Sequence, residues 1–400
     1  MNKRPGPRPL DGVRVLELAQ IMSGPTTGMM LADLGADVIK VEKLGGDDSR
    51  GYREPRVNGV SAPFMVLNRN KRGIALDLKN PKGRAVLLRL VERADVLTEN
   101  FRRDTLAKLG LGYDVLSAAN PALIYCAITG YGHTGPLGGH GGFDLIAQGF
   151  AGLMSITGEP GRQPTKVGPP VSDINAGILA ALGVLAAYIE RLKTGRGQIV
   201  ETSLMEAALQ QTYWHAAVYF ATGTSPGPLG SGHVLSAPYQ AFRTADGYVN
   251  IGGANQANWE RIAAVLGHPE WCEDPRFASN TERMANLPAL VAAIEAVLAE
   301  AGTEHWVQAF HAAGVPVGPV HTLAEALEHP QVAAREMVVE TVHRDAGPTR
   351  SLGFPVHLSA TPARVTRPAP ALGEHTREVL LEAGFGEDEI AQLLAEGVIA

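Results

Sequence analysis

Val13-Arg14-Val15-Leu16-Glu17-Leu18 alternates like a strand, Thr26 to Leu34 reads as a helix closed by Gly35, and Asp37-Val38-Ile39-Lys40-Val41-Glu42 is a second strand. Further along the chain, Ile74 to Leu78, Ala94 to Glu99, Leu123 to Ile128 and Gln198 to Thr202 continue as strands, with a helix over Pro81 to Arg93. Strands that alternate with helices in this way form a mostly parallel sheet covered by helices. The expected class is α/β.

The second half changes character. A helix from Met205 to about Thr222 is followed by Thr222 to Pro238, rich in Gly, Pro and Ser, which reads as a linker or loop. Tyr239 to Thr244 and Tyr248 to Gly252 flank Ala245-Asp246-Gly247 as a hairpin. Helical segments at Asn258 to Leu266, Leu287 to Glu300 and Thr303 to Ala313 complete a smaller α+β unit, which the chain leaves near Val315 to Val320. A Pro-rich stretch from Thr361 to Pro370 precedes a last helical region.

Composition narrows the function classes. The chain has 400 residues, 45% hydrophobic and 19% charged, as in a soluble globular protein large enough for two cores. A net charge of −6 supplies no global field for nucleic acid or an anionic membrane, so an anionic ligand needs a local patch. Cys126 and Cys272 stand far apart, which gives neither a disulfide framework nor a cysteine metal pattern and points to a reducing cytoplasm. The basic stretch Met1 to Pro7 leads into no apolar signal core. The most apolar run, Ala176 to Ile189, is shorter than the roughly 20 residues of a membrane span and reads as a buried helix.

Several patterns match familiar motifs in letters alone. Gly130-Tyr131-Gly132-His133-Thr134-Gly135 fits the dinucleotide fingerprint, but Pro136-Leu137-Gly138-Gly139 follows where a helix must begin, so no nicotinamide site is expected. Gly223-Thr224-Ser225-Pro226-Gly227 fits the nucleophile elbow, yet a helix precedes it and a proline-broken loop follows. His305 and His311 are six apart, on different helix faces, and no metal site is expected. The basic cluster Arg69-Asn70-Lys71-Arg72, with Lys79 and Lys43, lies around predicted strand ends and is either a solvated face or a site for a phosphate-bearing ligand.

Asp173 stands at the start of the long apolar helix in Val171-Ser172-Asp173-Ile174-Asn175-Ala176-Gly177. As a cap, its side chain would accept an orphan backbone N–H. As a nucleophile, it would be kept ionised by the positive end of the helix and attack an acyl carbon in a dry pocket. These residues alone leave both readings open.

The opening Pro9-Leu10-Asp11-Gly12-Val13-Arg14-Val15-Leu16-Glu17 resembles the class III CoA-transferases, as do Gly35 to Glu42, Asn68 to Arg72, Glu99-Asn100-Phe101 and Lys193 to Gln198. The likeness resumes at Gly314 to Val320 and at Leu372-Gly373-Glu374-His375-Thr376, and so spans nearly the whole chain. The family also includes carnitine CoA-transferases, formyl-CoA transferases and α-methylacyl-CoA racemases. It carries a catalytic Asp in a Gly/Ser-Asp-x-x-x-Gly segment, and the matching residue is Asp173.

The resemblance implies CoA contacts at Met22, Ser23, Lys43, Leu76, Lys79, Asn100, Phe101 and Lys108. Lys43 replaces a frequent Arg and loses its two-pronged fork. Asp144, in Gly142-Phe143-Asp144, matches an acidic residue that faces the nucleophile. Gly230-Ser231-Gly232-His233 matches a glycine run that closes over the acyl group in some members, but it is shorter here and poorer in glycine. The implied architecture is a Rossmann-like large domain over 1–222 and 321–400, with a smaller α+β domain over 223–320 inserted, in an interlocked homodimer.

The implied reaction moves CoA from an acyl-CoA donor to a carboxylic-acid acceptor through an aspartyl anhydride and an aspartyl-CoA thioester. CoA enters as a substrate thioester, with no metal and no nicotinamide. His233 to Phe242 is similar to dicarboxylate-using relatives, which suggests a succinyl-CoA-type donor and a short dicarboxylic acceptor. A racemase on the same scaffold is the rival reading. Such members carry a His where this chain has Phe143, and a second acid where it has Ala254-Asn255-Gln256. A protein that binds acyl-CoA without chemistry is the non-enzymatic alternative.

Overall fold

Six parallel strands carry the larger unit: β1 (Arg14–Glu17), β2 (Asp37–Glu42), β3 (Arg72–Ala75), β4 (Val96–Glu99), β5 (Ile124–Thr129) and β6 (Ile199–Ser203). In the computed structural model, which describes residues 6–400, they pair in the order β3-β2-β1-β4-β5-β6. Val15 of β1 stands level with Val38 on one side and Val96 on the other, and every pairing in this sheet is parallel. This is a doubly wound α/β sheet whose strand order reverses between β1 and β4. All of β4 is buried, as a sheet covered on both faces requires.

The helices that shape the core or the ligand crevice of this unit include α1 (Ser23–Asp33), α2 (Pro81–Val91), α3 (Asp144–Phe150), α4 (Val171–Thr194) and α5 (Leu204–Gln210). α2 begins where Asn80 accepts the Lys82 N–H and Pro81 takes the first helical position. Its Leu87 and Leu90 pack on Leu16, Ile39 and Leu97 of the sheet, together with Leu380 and Val398 from the C-terminal segment.

Three expectations are corrected. β3 begins at Arg72 rather than Ile74, because the Arg72 guanidinium is tied to Asp37, Glu378 and Glu382. The helix expected over Met205 to Thr222 is two helices, α5 and Tyr213–Thr222. The apolar run extends to the 24 residues of α4, long and apolar enough by length and composition to cross a membrane, yet only 39% of its apolar window is buried. Its small residues Ala176, Gly177, Ala180 and Ala187 face inward, while Ile178, Leu182, Ile189 and Leu192 face outward.

The chain divides into two compact units. The larger comprises the stretch ending at Ala151, Gly168–Gln211 and Pro330–Ala400; the smaller comprises Gly152–Val167 and Thr212–His329. The divisions thus fall elsewhere than at 222 and 320. Helix Tyr213–Thr222, which buries no residue, groups with the smaller unit.

In the smaller unit Tyr239–Arg243 and Tyr248–Gly252 form the expected hairpin, and Val317–Pro319 adds a third antiparallel strand. Helices Gln256–Val265, Leu287–Leu298 and Thr303–Ala312 close a core around Phe242, Trp259, Ile294 and Phe310. Residues 223–238 contain no helix or strand.

Candidate active site

Loops leaving β1 and β4 run in opposite directions and open a crevice above the carboxyl ends of the strands, where open α/β sheets bind ligands. A cavity of about 330 Å³ lies there. Its walls are Gln20, Ile21, Met22 and Ser23 after β1, Asn100 to Arg103 after β4, and the glycine-rich loop between β5 and α3. Asp173 also lines it.

Three local features build these walls. The Asn100 side chain clamps the loop after β1, accepting the Gln20 N–H at 2.8 Å and donating to the Gln20 carbonyl at 2.8 Å and the Ser23 hydroxyl at 3.3 Å. Gly130 and Gly142 bring the two ends of the glycine-rich loop into backbone contact, since a Cβ on Gly142 would stand 2.7 Å from Gly130 Cα. Gly177, one helical turn below Asp173, lets α4 lie against α1, and the Thr27 hydroxyl donates to its carbonyl at 3.0 Å. The fingerprint glycines Gly130 to Gly135 lead into turns, and the next helix starts only at Asp144.

Asp173 is the third residue of α4 and does not cap it. Asp144 supplies the capping acceptor from another helix: its Oδ1 accepts the Ser172 N–H at 2.8 Å and its Oδ2 accepts from Gln148 at 2.7 Å. The helix end therefore does not prevail in holding Asp173 ionised. Burial first, and then the charge of Asp144, push its carboxyl up to about 7. An acid near its midpoint at neutral pH, in a cavity, with no hydrogen bond contributing to its state, is a group available for chemistry.

Residues 10–376 match CoA-transferase family III. The chain belongs to that family. Succinate–glutarate CoA-transferase from Agrobacterium fabrum is 40% identical over 388 residues, covering 95% of this chain and 96% of the relative. Succinyl-CoA–D-citramalate CoA-transferase from Chloroflexus aurantiacus is 38% identical over 405 residues, covering 100% of both. The crystal structure of a CAIB/BAIF family protein from Brucella suis, 38% identical, matches with a TM-score of 0.84 over 94% of this chain and 100% of that one. The family III chain is thus an enzyme, a CoA-transferase with CoA as its substrate.

Of the positions that the family resemblance pointed to, Met22, Ser23, Asn100, Phe101 and Asp173 meet at the cavity, with Asp144 behind Asp173. Lys43 is exposed after β2, 2.5 Å from Asp48, which is itself on the rim. Lys79 is exposed in the turn before α2, and Lys108 lies by Arg84 and Leu88 of that helix, outside the cavity. The Leu76 side chain is 1% exposed in the core, so only its main chain can be offered to a ligand.

Within the basic cluster, the Arg69-Asn70-Lys71-Arg72 run is not a phosphate site. Arg69 pairs with Asp33, Lys71 with Glu17, and Arg72 with Asp37 and two C-terminal glutamates. These cations hold the sheet together. The sequence reading does not include the basic side chains that do line the cavity, Arg102, Arg103 and His140. Asn100-Phe101-Arg102-Arg103, directly after a strand end, carried that signal for the arginines; His140 lies in a loop that only tertiary structure folds back. Among the described residues, no group of three or more His, Cys, Asp or Glu is placed to hold a metal ion.

Proposed function

We propose that this CoA-transferase moves CoA from a succinyl-CoA-type donor to a short dicarboxylic acid, with Asp173 as nucleophile. The observation that carries the reading is an Asp173 carboxyl lining the cavity and held near neutrality by burial. The relatives named for succinate, glutarate and D-citramalate support the substrate class.

In the ionised form, an Asp173 oxygen attacks the donor thioester carbonyl, the C–S bond breaks, and a mixed anhydride forms as CoA thiolate leaves. The thiolate then attacks the aspartyl carbonyl, releasing the donor acid as a carboxylate and leaving an aspartyl-CoA thioester. The acceptor carboxylate reverses the order, and the last thiolate attack leaves acceptor-CoA and a free Asp173. Covalent capture divides one hard transfer into easier ones. Backbone N–H groups of Gly141 and Gly142 are candidates to stabilise the tetrahedral oxyanions, a contribution of about 3 kcal/mol per donor in other enzymes.

The thioester end of CoA occupies this cavity, and Lys43, Lys79 and Lys108 contact its nucleotide end. The outward face of α4 and the exposed Trp214 and Phe220 pack against a second copy in an interlocked homodimer, which accounts for large apolar side chains in solvent. The proposed setting is the cytoplasm, in keeping with the free thiols of Cys126 and Cys272.

Label exchange between a free acid and its CoA thioester, with mass spectrometry of the enzyme, tests the reading. Incubation with succinyl-CoA should add CoA to the peptide that contains Asp173, and Asp173→Ala should abolish both the adduct and transfer while acyl-CoA still binds. Transfer at the wild-type rate in Asp173→Ala would refute the nucleophile. Proton exchange into a 2-methylacyl-CoA without an acceptor acid would favour the racemase.

A further inference from the structure

Three charges buried at the carboxyl ends of β1 and β2, or just beyond, take no part in the proposed transfer steps. Glu17, Lys40 and Asp47 are each no more than 2% exposed. Lys40 Nζ lies 2.8 Å from Asp47 Oδ2 and 3.3 Å from Glu17 Oε1, and it donates to the Ala19 carbonyl at 3.0 Å. Burying charges in this way costs desolvation that their attraction often does no more than offset, so stability is a weak reason for the cluster.

The remaining bonds of Asp47 point to another role. The Ile21 N–H donates to both Asp47 oxygens, at 3.3 and 3.2 Å, and Ser49 secures Oδ1 through its N–H at 2.9 Å and its hydroxyl at 2.7 Å. Ile21 has φ of +67°, a left-handed conformation that is a genuine outlier for a β-branched residue. Such a conformation persists only where its surroundings over-determine it. Ile21 and both its neighbours, Gln20 and Met22, line the cavity, and Asn100 already holds the Gln20 side of the loop.

We infer that Asp47, braced by Lys40, is a positioning residue for the transfer reaction: it locks Ile21 in the left-handed conformation that shapes the cavity wall from Gln20 to Ser23. The inference rests on the proposed function in taking that cavity as the site of transfer. Asp47 itself need touch neither substrate nor Asp173.

The test is a double-mutant cycle in the full chain, with Asp47→Ala and Ile21→Gly alone and together. Glycine adopts positive φ without the Cβ penalty, so it should lessen the need for Asp47. Asp47→Leu, which keeps the size but offers Ile21 no acceptor, is read in the same way should Asp47→Ala not fold. kcat, KM for succinyl-CoA, and Tm are measured, with activity assayed well below each Tm.

Loss of Asp47 should lower kcat/KM about 10- to 100-fold. In the Ile21→Gly background the same loss should shrink by at least about threefold, the coupling expected of residues in contact. An equal penalty in both backgrounds, or wild-type kcat/KM in a folded Asp47 variant, overturns the inference and leaves the proposed function standing. Should the wild type show no CoA transfer, the proposed function fails instead. The cycle is then read on succinyl-CoA affinity by calorimetry, with the same coupling expected and its absence again decisive.

Discussion

Gly177 and Ser23 meet with no room for a side chain: a Cβ on Gly177 would stand 2.6 Å from the Ser23 carbonyl oxygen. Gly177 lies one turn from Asp173 on α4, and Ser23 begins α1 on the cavity wall. The approach of Asp173 to the cavity wall therefore depends on one missing methyl group. Gly177→Val should cost about 1–3 kcal/mol of stability, as overpacking does, and lower kcat more than tenfold in protein that is still folded. Gly177→Ala should show a smaller change in the same direction. Urea unfolding and steady-state kinetics check this, and wild-type kcat in Gly177→Val would show that the helix contact does not position Asp173.

As the proposed nucleophile, Asp173 must be ionised, so kcat/KM should rise with pH and level off above about 7, where its carboxyl titrates. The stability effect has the opposite sign. Because the folded value lies above the ordinary 3.8, the folded state holds more protons between the two, and stability falls as pH rises from about 4 to about 7. Asp173→Asn should therefore be more stable than the wild type at pH 8, on the order of 2 kcal/mol, and no more stable at pH 4. Denaturation at the two pH values decides it.

Asp144→Asn should move the acidic limb of the pH profile downward by up to about one unit, since the charge it removes is one that raises Asp173. The variant keeps an oxygen for the Ser172 N–H, so the start of α4 should hold and Tm should change little. An unmoved limb would assign the whole shift to burial.

Lys43→Ala, Lys79→Ala and Lys108→Ala should each raise KM for the acyl-CoA donor several-fold with kcat nearly unchanged, the mark of binding equally strong in ground and transition states. The effect should shrink with added salt, because these side chains are exposed. Three unchanged KM values would place the nucleotide end of CoA elsewhere.

Much of the fold was legible because hydrophobic period and glycine punctuation are local signals. β1, α1 and β2 lie close to where their residues predict, and so does the hairpin of the smaller unit. The expected start of β3 at Ile74 lies two residues past the real one, because Arg72 looks like a surface cation until its partners Glu378 and Glu382, some 300 positions away, are folded beside it. The same blindness made the Arg69 to Arg72 cluster resemble an anion site, when each of its cations is already paired within the larger unit.

Hydrophobic period and glycine punctuation along the chain were enough for an α/β protein, and the resemblance to family III singled out Asp173 and its spacing to Gly177. Folding in three dimensions was needed to make Asp144 the cap of α4, to lift Asp173 toward neutrality, and to set Asp47 against Ile21. A proton's affinity and a backbone's strain depend on which distant groups come within a few ångströms and how much water is displaced, and neither is written along the chain.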